Sequence, residues 1–510
     1  MTSRAPANAT LPEAVLTAAG VRALDARLEA AGLLRLTMEN AGRAVAERVR
    51  ALRPHARVLI LVGRGANGGD ALVAARHLHA AGQAVRVLAL GLEETGLAGE
   101  MLRAWRAMGE VDLLTPQALE AALAQRCDLV LDGLLGTGFR PPLRPELSAI
   151  TARLNAADLE VFAIDLPSGL QADLPQVPEG ALRAARTFTL GGPKPALLFS
   201  PARECAGEWE ALPLAVPQGW VLEHARARRL TPAHAAALLP QRAADAHKGT
   251  AGEVWVIGGS EGMSGAPAMA AHAALRTGSG LLRMIGTGEP RPIDPEVITA
   301  RLPDWADLEA YRADRRPDAL ALGMGLGGQA ARVAARVLAW ARPTVVDADA
   351  LTPELRGLGH PGVVWTPHPA EAARMLACPT HAVLADPLEA AECIRAAYGG
   401  TVVLKGGPTV VAAEDGTWVN PTGNPGMASA GMGDTLAGVI ASLAGQGLEA
   451  AVAARLGVYL HGLSADLLQP ERGYGLQATE VGCGIPRAWR ALREWVDWAG
   501  QEERKRCKDS

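Results

Sequence analysis

One carboxylate of this chain stands where an anion is costly. Asp434 lies in the run Asn420 to Gly438, NPTGNPGMASAGMGDTLAG, whose glycines lead into the apolar helical stretch Thr435-Leu436-Ala437-Gly438-Val439-Ile440. Glycine lets a backbone approach a ligand closely, and the amides at a helix start form a positively polarised cup suited to phosphate. An acid beside such a cup raises the electrostatic energy unless it has a task, and taking a proton from an attacking hydroxyl is one. The competing reading is structural: Asp434 caps the helix that begins at Thr435. Two more side chains in this half stand at strand ends. His368 is held between Pro367 and Pro369, which fixes its backbone, and Lys405 precedes Gly406 and Gly407, where it can meet a polyphosphate as a point charge. A structural histidine and an exposed lysine are the plain alternatives.

A second set of polar residues is gathered by three turns of the first half. Arg57-Val58-Leu59-Ile60-Leu61-Val62 reads as a buried parallel strand and runs into Gly63-Arg64-Gly65-Ala66-Asn67-Gly68-Gly69-Asp70. Cys127 to Asp132 runs into Gly133-Leu134-Leu135-Gly136-Thr137-Gly138, and Val161 to Asp165 into Leu166-Pro167-Ser168-Gly169. Ligands of doubly wound sheets bind beyond the carboxyl ends of the strands, so the three loops are expected to form one crevice holding Asn67, Asp70, Asp132, Asp165 and Ser168. Singly, each Asp reads as a helix cap. Together, amide, carboxylate and hydroxyl oxygens without nitrogen or sulfur donors suit a hard cation.

The elements that must position these residues follow from hydrophobic pattern. Helical spacing runs from about Val21 to Val49, with Thr37-Met38-Glu39-Asn40 as a candidate cap within it. The second half repeats strand, polar loop and helix. Glu253 to Ile257 leads into Gly258-Gly259, with Gly265-Ala266-Pro267 opening an alanine-rich helix, and Ala319 to Leu322 leads into Gly323-Met324-Gly325-Leu326-Gly327. Thr344 to Val346 precedes Asp347-Ala348-Asp349, Val363 to Trp365 precedes Thr366-Pro367-His368, and Thr401 to Leu404 precedes Lys405. A mostly parallel sheet flanked by helices is expected here as well. The small residues after Gly265 admit either a flat ligand or a close helix contact.

At 510 residues the chain is long for a single core. Its 49% hydrophobic and 20% charged residues are those of an ordinary globular protein, and a net charge of -4 without a basic stripe argues against nucleic acid. The charged segment 502–506 reads as a frayed end. Six scattered cysteines lack metal-ligand spacing, which points to reduced thiols in a cytoplasmic protein. No apolar run reaches the roughly 18 residues of a membrane span, and no secretion signal stands at the start. The expected division is residues 1–222, a linker at 223–236, residues 237–500, and a charged tail at 501–510. Thr231-Pro232 reads as a helix opening.

The motifs GRGANGGDALVAAR, VLDGLLGTGFR and AIDLPSGL resemble the NAD(P)H-hydrate epimerase family over roughly Leu24 to Pro217. The resemblance implies potassium on Asn67, Asp132 and Ser168. It implies a hydrate site at Ala66, Asn67, Gly68, Gly69 and Asp70, at Gly136, Thr137, Gly138, Phe139, Arg140, Pro141 and Pro142, and at Asp165, the acid/base candidate. Ala66 and Ala71 stand where the family usually has Asn and Gly. HKGTAGEVWVIGGS, LGMGLG, VVDADAL, TPHPAEAARML, VVLKGGPTVV and NPGMASAGMGDTLAG resemble, from about Thr231 to Arg490, the ADP-dependent NAD(P)H-hydrate dehydratase family. That second resemblance implies a ribokinase-like fold, with nucleotide held by Lys405, Gly406, Gly407, Pro408, Thr409 and Gly433. It places the hydrate on Ala266, Gly325, His368 and Asp434, with Asp434 as the catalytic base.

The fold class expected is therefore α/β: two doubly wound domains, Rossmann-like then ribokinase-like. The implied partners are NADH hydrate, NADPH hydrate and ADP, with potassium in the first half, Mg2+ in the second, and association of identical copies. Three rivals share part of this pattern. A small-molecule kinase would use Asp434 on a stable acceptor, a dehydrogenase would use Gly63, Gly65 and Gly68 as a GxGxxG turn with Glu93 or Glu94 on the ribose, and a sensor would bind ADP without consuming it.

Overall fold

In the strand Val58–Val62, Val58, Ile60 and Val62 pack into one apolar layer and Leu59 and Leu61 into the opposite one. Side chains alternate along a strand, so a strand buried on both faces needs helices on both sides of its sheet. One layer brings residues of helices Leu34–Leu52, Ala66–Ala80 and Gly96–Arg106, and the other brings residues of Pro116–Ala124 and Pro145–Asn155. The computed structural model that shows this describes residues 14–91 and 93–506, with side chains through 495. Cys507 and the side chains of the segment 502–506 lie outside the described residues.

The chain divides into two compact units that change over between Arg228 and Arg229. The segment expected as a linker carries the short strand Ala227–Arg229 and the helix Pro232–Ala237, which Thr231 caps by accepting a hydrogen bond from the His234 amide. Helical backbone continues from Ala478 to Arg506, through the segment expected to fray.

The first unit has seven parallel strands in the spatial order Val111–Leu113, Val85–Ala89, Val58–Val62, Leu129–Gly133, Glu160–Ile164, Arg186–Leu190, Glu208–Leu212. In chain order this is 3-2-1-4-5-6-7, the doubly wound order of dinucleotide-binding sheets, and the order reverses between Val58–Val62 and Leu129–Gly133. Two of the three polar loops leave from those two strands, and the third follows the next strand, Glu160–Ile164. One expectation fails ahead of this sheet. Thr37 does not cap a helix but lies inside Leu34–Leu52, its hydroxyl donating to the Leu33 carbonyl. The break in the helical stretch falls earlier, at Gly32, whose φ of 70° ends the helix Ala18–Ala30.

In the second unit the strands run in the order Gly416–Asn420, Thr409–Ala413, Thr401–Leu404, Val363–Trp365, Thr344–Val346, Ala319–Leu322, Glu253–Ile257, Leu281–Gly286, Ile298–Arg301. Neighbours are parallel except at the first edge, where Thr409–Ala413 runs antiparallel to both Gly416–Asn420 and Thr401–Leu404. One face is covered by the helices Gly265–Thr277, Met432–Gly445 and Ala450–Arg472. Trp255 and Trp365 are buried beside Trp340 and Tyr398 respectively, ring edge to face. The alanine-rich helix packs at backbone distance: a Cβ on Gly438 would stand 2.0 Å from the Ala270 carbonyl oxygen. Close helix packing thus accounts for the small residues at that point.

Candidate functional sites

At the reversal point of the first sheet, glycine permits two turns to touch. A Cβ on Gly63 would lie 1.8 Å from the Leu134 carbonyl oxygen, and one on Gly68 would lie 1.9 Å from the Gly63 oxygen. The glycines that fit the GxGxxG pattern are thus used in part to pack turns against each other, and the helix starts immediately after Gly65, at Ala66. Glu94, a ribose candidate of the dehydrogenase reading, is ion-paired with Arg106.

Asn67, Asp132 and Ser168 come together as the three-loop argument required. Ser168 donates from its hydroxyl to Asp132 Oδ1 at 2.7 Å and from its amide to Oδ2 at 2.8 Å, and Leu134 donates its amide to Oδ1 at 3.1 Å. The Leu135 amide donates to Ser168 Oγ at 3.0 Å, and Asn67 Nδ2 donates to the Leu135 carbonyl at 2.9 Å. Asp132 is fully buried, and burial pushes its carboxyl up to about 6 against the hydrogen bonds that favour its ionised form. Asn67 Oδ1 is buried without a hydrogen-bond partner. A buried amide oxygen left unsatisfied beside an all-oxygen cluster is where a hard cation fits.

These loops form the wall of a cavity of about 1270 Å³. Ala66, Asn67, Asp70, Gly136, Thr137, Gly138, Phe139, Arg140, Pro142 and Asp165 all line it. Gly68, Gly69 and Pro141 are not among its lining: Gly68 packs on Gly63, and a Cβ on Gly69 would meet Met38 Sδ at 2.6 Å. The methyl of Ala71 sits over Gly133, where a second Cβ would come within 2.5 Å.

Asp165 does not cap a helix. It holds a left-handed φ of 65°, a conformation tolerated by Asp better than by most residues, and accepts from the Leu190 amide at 3.1 Å and from Lys194 Nζ. Lys194 is completely buried and also donates to Thr189 Oγ1 at 3.0 Å and to the Leu190 carbonyl at 2.9 Å. Sequence reasoning missed this lysine and Asp25, which also lines the cavity. Burial pushes the Asp25 carboxyl up to about 6, with Asp165 adding to the rise and Lys194 opposing it. Asp70 is raised well above the usual carboxylate range by burial and then by Asp165 and Asp25. The cavity thus sets the Asp165–Lys194 ion pair beside a carboxyl that burial and its acidic neighbours make reluctant to ionise.

In the second unit Asp434 is the third residue of the helix Met432–Gly445. The helix is opened by Gly431 at a φ of 87°, with no side chain capping it. Asp434 is therefore not the cap. Burial pushes its carboxyl up to about 7, Asp347, Glu371 and Asp349 add to the rise, and Lys405 opposes them. Lys405 Nζ donates to Asp347 Oδ1 at 2.7 Å and lies 3.6 Å from Glu371 Oε2, and these carboxylates hold its ammonium above the ordinary lysine range despite burial. A Cβ on Gly433 would stand 3.1 Å from Lys405 Nζ, which sets the lysine against the helix start.

His368 has a structural task. Its Nδ1 accepts from the amides of Ala370 at 3.1 Å and Glu371 at 3.2 Å, while Glu371 Oε2 accepts from the His368 amide at 2.7 Å, a capping box for the helix Pro369–Leu376. With Nδ1 accepting, the ring proton sits on Nε2, 3.3 Å from Glu371 Oε1, on a half-exposed side chain. Gly406 and Thr409 close the loop after Lys405 through Thr409 Oγ1 donating to the Gly406 carbonyl at 3.1 Å, and Gly407 and Pro408 lie between them. Gly325, at a φ of 68°, accepts from the Ser260 amide at 2.8 Å, and Ala266 lies in the first turn of Gly265–Thr277. Sequence reasoning assigned no role to Asp347, Asp349 or Glu371, although two of them stand at the end of the strand Thr344–Val346.

A family model described as NAD(P)H-hydrate dehydratase matches residues 254–487, and one described as YjeF-related protein N-terminus matches residues 35–196. The chain is 38% identical over 498 residues to the bifunctional NAD(P)H-hydrate repair enzyme Nnr of Moorella thermoacetica, covering 90% of this chain and 93% of that one. It is 35% identical over 491 residues to the enzyme of the same name from Escherichia coli, covering 90% and 91%. Among solved structures, the ADP/ATP-dependent NAD(P)H-hydrate dehydratase from Bacillus subtilis, co-crystallised with ATP/Mg2+, is 33% identical with a TM-score of 0.47, covering 52% of this chain and 98% of that one. With two sheets of the expected kinds, both matched in order, and curated relatives aligned over about nine-tenths of each chain, the chain belongs to the bifunctional NAD(P)H-hydrate repair enzyme family.

Proposed function

We propose that the first unit interconverts the R and S forms of NADH hydrate and NADPH hydrate, and that the second converts the S form back to NAD(P)H using ADP. The observation that carries this reading is the position of Asp434: a carboxyl pushed up to about 7, in the first turn of a helix start with no side-chain cap, opposed by a partly buried lysine. A base whose proton affinity lies near neutrality is both available and strong enough to act.

In the second unit Asp434 takes the proton of the C6 hydroxyl, and that oxygen attacks the terminal phosphoryl group of ADP as the bond to AMP breaks. The ring nitrogen then expels phosphate from C6, and loss of a proton from C5 restores the dihydronicotinamide. Lys405 and the amides of Gly431 to Asp434 face the charge that develops on the transferring group. Gly406 to Thr409 hold the nucleotide, and Ala266, Gly325 and His368 Nε2 line the hydrate. Asp347, Glu371 and Asp434 outnumber the lysine they act on, a surplus of acidic groups that suits a Mg2+ ion arriving with the nucleotide. Among the described residues no group of three or more His, Cys, Asp or Glu is arranged to hold a metal, so phosphate oxygens would complete its shell.

In the first unit Asp165, fixed by Lys194, assists departure and return of the C6 oxygen on either face of the ring, and Asp70, whose proton affinity burial raises, faces the same cavity. Asn67, Asp132 and Ser168 would hold potassium, whose charge would draw the three loops together. The test is incubation with ADP and NADH hydrate while the dihydronicotinamide absorbance is followed. Absorbance should return with AMP and phosphate as products, and an Asp434→Asn variant should still exchange R for S hydrate without dehydrating either. Stable phosphorylated product, or no return of absorbance, would favour the kinase or sensor reading.

A further inference from the structure

A cysteine, a histidine and an aspartate that none of the chemistry above uses are lined up on the second unit. Cys483 Sγ, on the exposed side of the helix Ala478–Arg506, lies 3.3 Å from His272 Nε2. His272 is buried on the helix Gly265–Thr277, and its Nδ1 lies 2.6 Å from Asp294 Oδ2. Asp294 is also buried, and Arg276 Nη2 donates to its other oxygen at 3.0 Å. An ionised carboxylate held by a guanidinium can only accept, so His272 Nδ1 carries the proton and Nε2 presents its lone pair to the thiol. Nucleophile, base and orienting acid stand at hydrogen-bonding distances in the arrangement that activates a sulfur. The close seat of the last helix keeps them there: a Cβ on Gly482 would lie 2.9 Å from the His272 ring.

We infer that Cys483, His272 and Asp294 form a reactive-thiol site at which Cys483 is covalently modified by small soft electrophiles. In the modifying step sulfur forms a bond to the electrophilic carbon, the carbon's bond to its leaving group breaks, and the S–H proton passes to His272 Nε2. With a peroxide as the co-reactant, sulfur bonds to one oxygen, the O–O bond breaks, the thiol is oxidised to a sulfenic acid and the peroxide is reduced to water.

Cys127, Cys205 and Cys393 are internal references. Burial pushes the Cys127 and Cys205 thiols up. Cys393 is exposed like Cys483, but burial, Glu389, Glu392 and Asp386 push its thiol up. Neither surface access nor the cysteine side chain alone therefore sets Cys483 apart; the histidine does.

The experiment treats the full chain at neutral pH with limiting iodoacetamide and follows each cysteine-containing peptide by mass spectrometry. Cys483 should be alkylated at least about tenfold faster than Cys393, because the thiolate rather than the thiol is the nucleophile. Asp294→Asn and His272→Gln should bring Cys483 toward the Cys393 rate while Cys393 itself is unchanged, and Asp294→Glu should restore part of the difference. The unchanged Cys393 rate reports that the unit is still folded. Equal rates at Cys483 and Cys393 in the unaltered protein, or a Cys483 rate indifferent to His272→Gln, would overturn the assignment.

Discussion

Replacing Asp434 by Asn should make the second unit more stable while removing most of its turnover. An aspartate ionises near 3.9 in an unfolded chain, and in this fold the carboxyl is pushed up to about 7 by burial and by Asp347, Glu371 and Asp349. The folded state therefore binds this proton more tightly than the unfolded state does. The stability that the protonated carboxyl confers is fully present below the unfolded value and is lost as the pH rises through about 7. At 1.36 kcal/mol per pH unit, the ionised carboxylate costs roughly 4 kcal/mol above neutrality, and asparagine, similar in shape and never charged, avoids that cost. The variant's advantage should be small near pH 4, about half developed near pH 5.5, and complete above about pH 8.

The assay is denaturant unfolding of both proteins across that range, following the transition that ADP shifts, since a chain of two units need not unfold in one step. Dehydration should fall by ~10²–10⁴-fold in the variant, and kcat/KM of the unaltered enzyme should climb with pH until about 7 and then level. Equal stability of the two proteins at alkaline pH would show that the acid is not held against its charge. Undiminished turnover in the variant would refute its role as base.

Lys405→Met removes the cation that opposes the carboxylates around Asp434, so any remaining dehydratase activity should show its pH midpoint moved upward, read from the pH–rate profile. Lys194→Met leaves Asp165 buried and unpaired beside Asp25 and Asp70, which should destabilise the first unit by ~3–5 kcal/mol and abolish hydrate exchange, measured by unfolding and by chromatography of the R and S forms. Replacing potassium with tetramethylammonium should slow epimerisation, and Asn67→Leu should remove that dependence by removing the unpartnered Oδ1; equal rates in both salts would dismiss the ion. Gly438→Ala places a methyl 2.0 Å from the Ala270 carbonyl and should cost the second unit at least ~1–3 kcal/mol in unfolding free energy.

How much of this was legible in the sequence depended on how local the signal is. Val58–Val62 and Leu129–Gly133 are apolar runs that stop at glycine, so strand, turn and helix could be read in order, and the rule that ligands gather beyond such strand ends brought Asn67, Asp132 and Ser168 together. The helix break at Gly32 was misplaced because apolar spacing continues on both sides of it, while Thr37 has the composition of a cap but spends its hydroxyl on the Leu33 carbonyl. Lys194 follows the strand Arg186–Leu190, RTFTL, whose polar residues interrupt the apolar run that marked the other strands. That loop was not added to the crevice, and the partner of Asp165 went unseen.

The same limit governs the electrostatics of Asp434. Its place in a glycine-rich helix start could be read from nineteen consecutive letters, but whether it acts as a cap or a base could not, because a cap is decided by the neighbouring amides and a base by distant charges. Asp347 and Glu371 come from two other strand ends, and Lys405 from a third, so the proton affinity of residue 434 is a property of the sheet that aligns those ends. A glycine-rich loop grafted onto another scaffold would keep its phosphate cup and lose the burial and the neighbouring carboxylates that together keep its acid near neutrality. Within this fold, the residues that tune the base therefore constrain the chain as strongly as the motif that carries it.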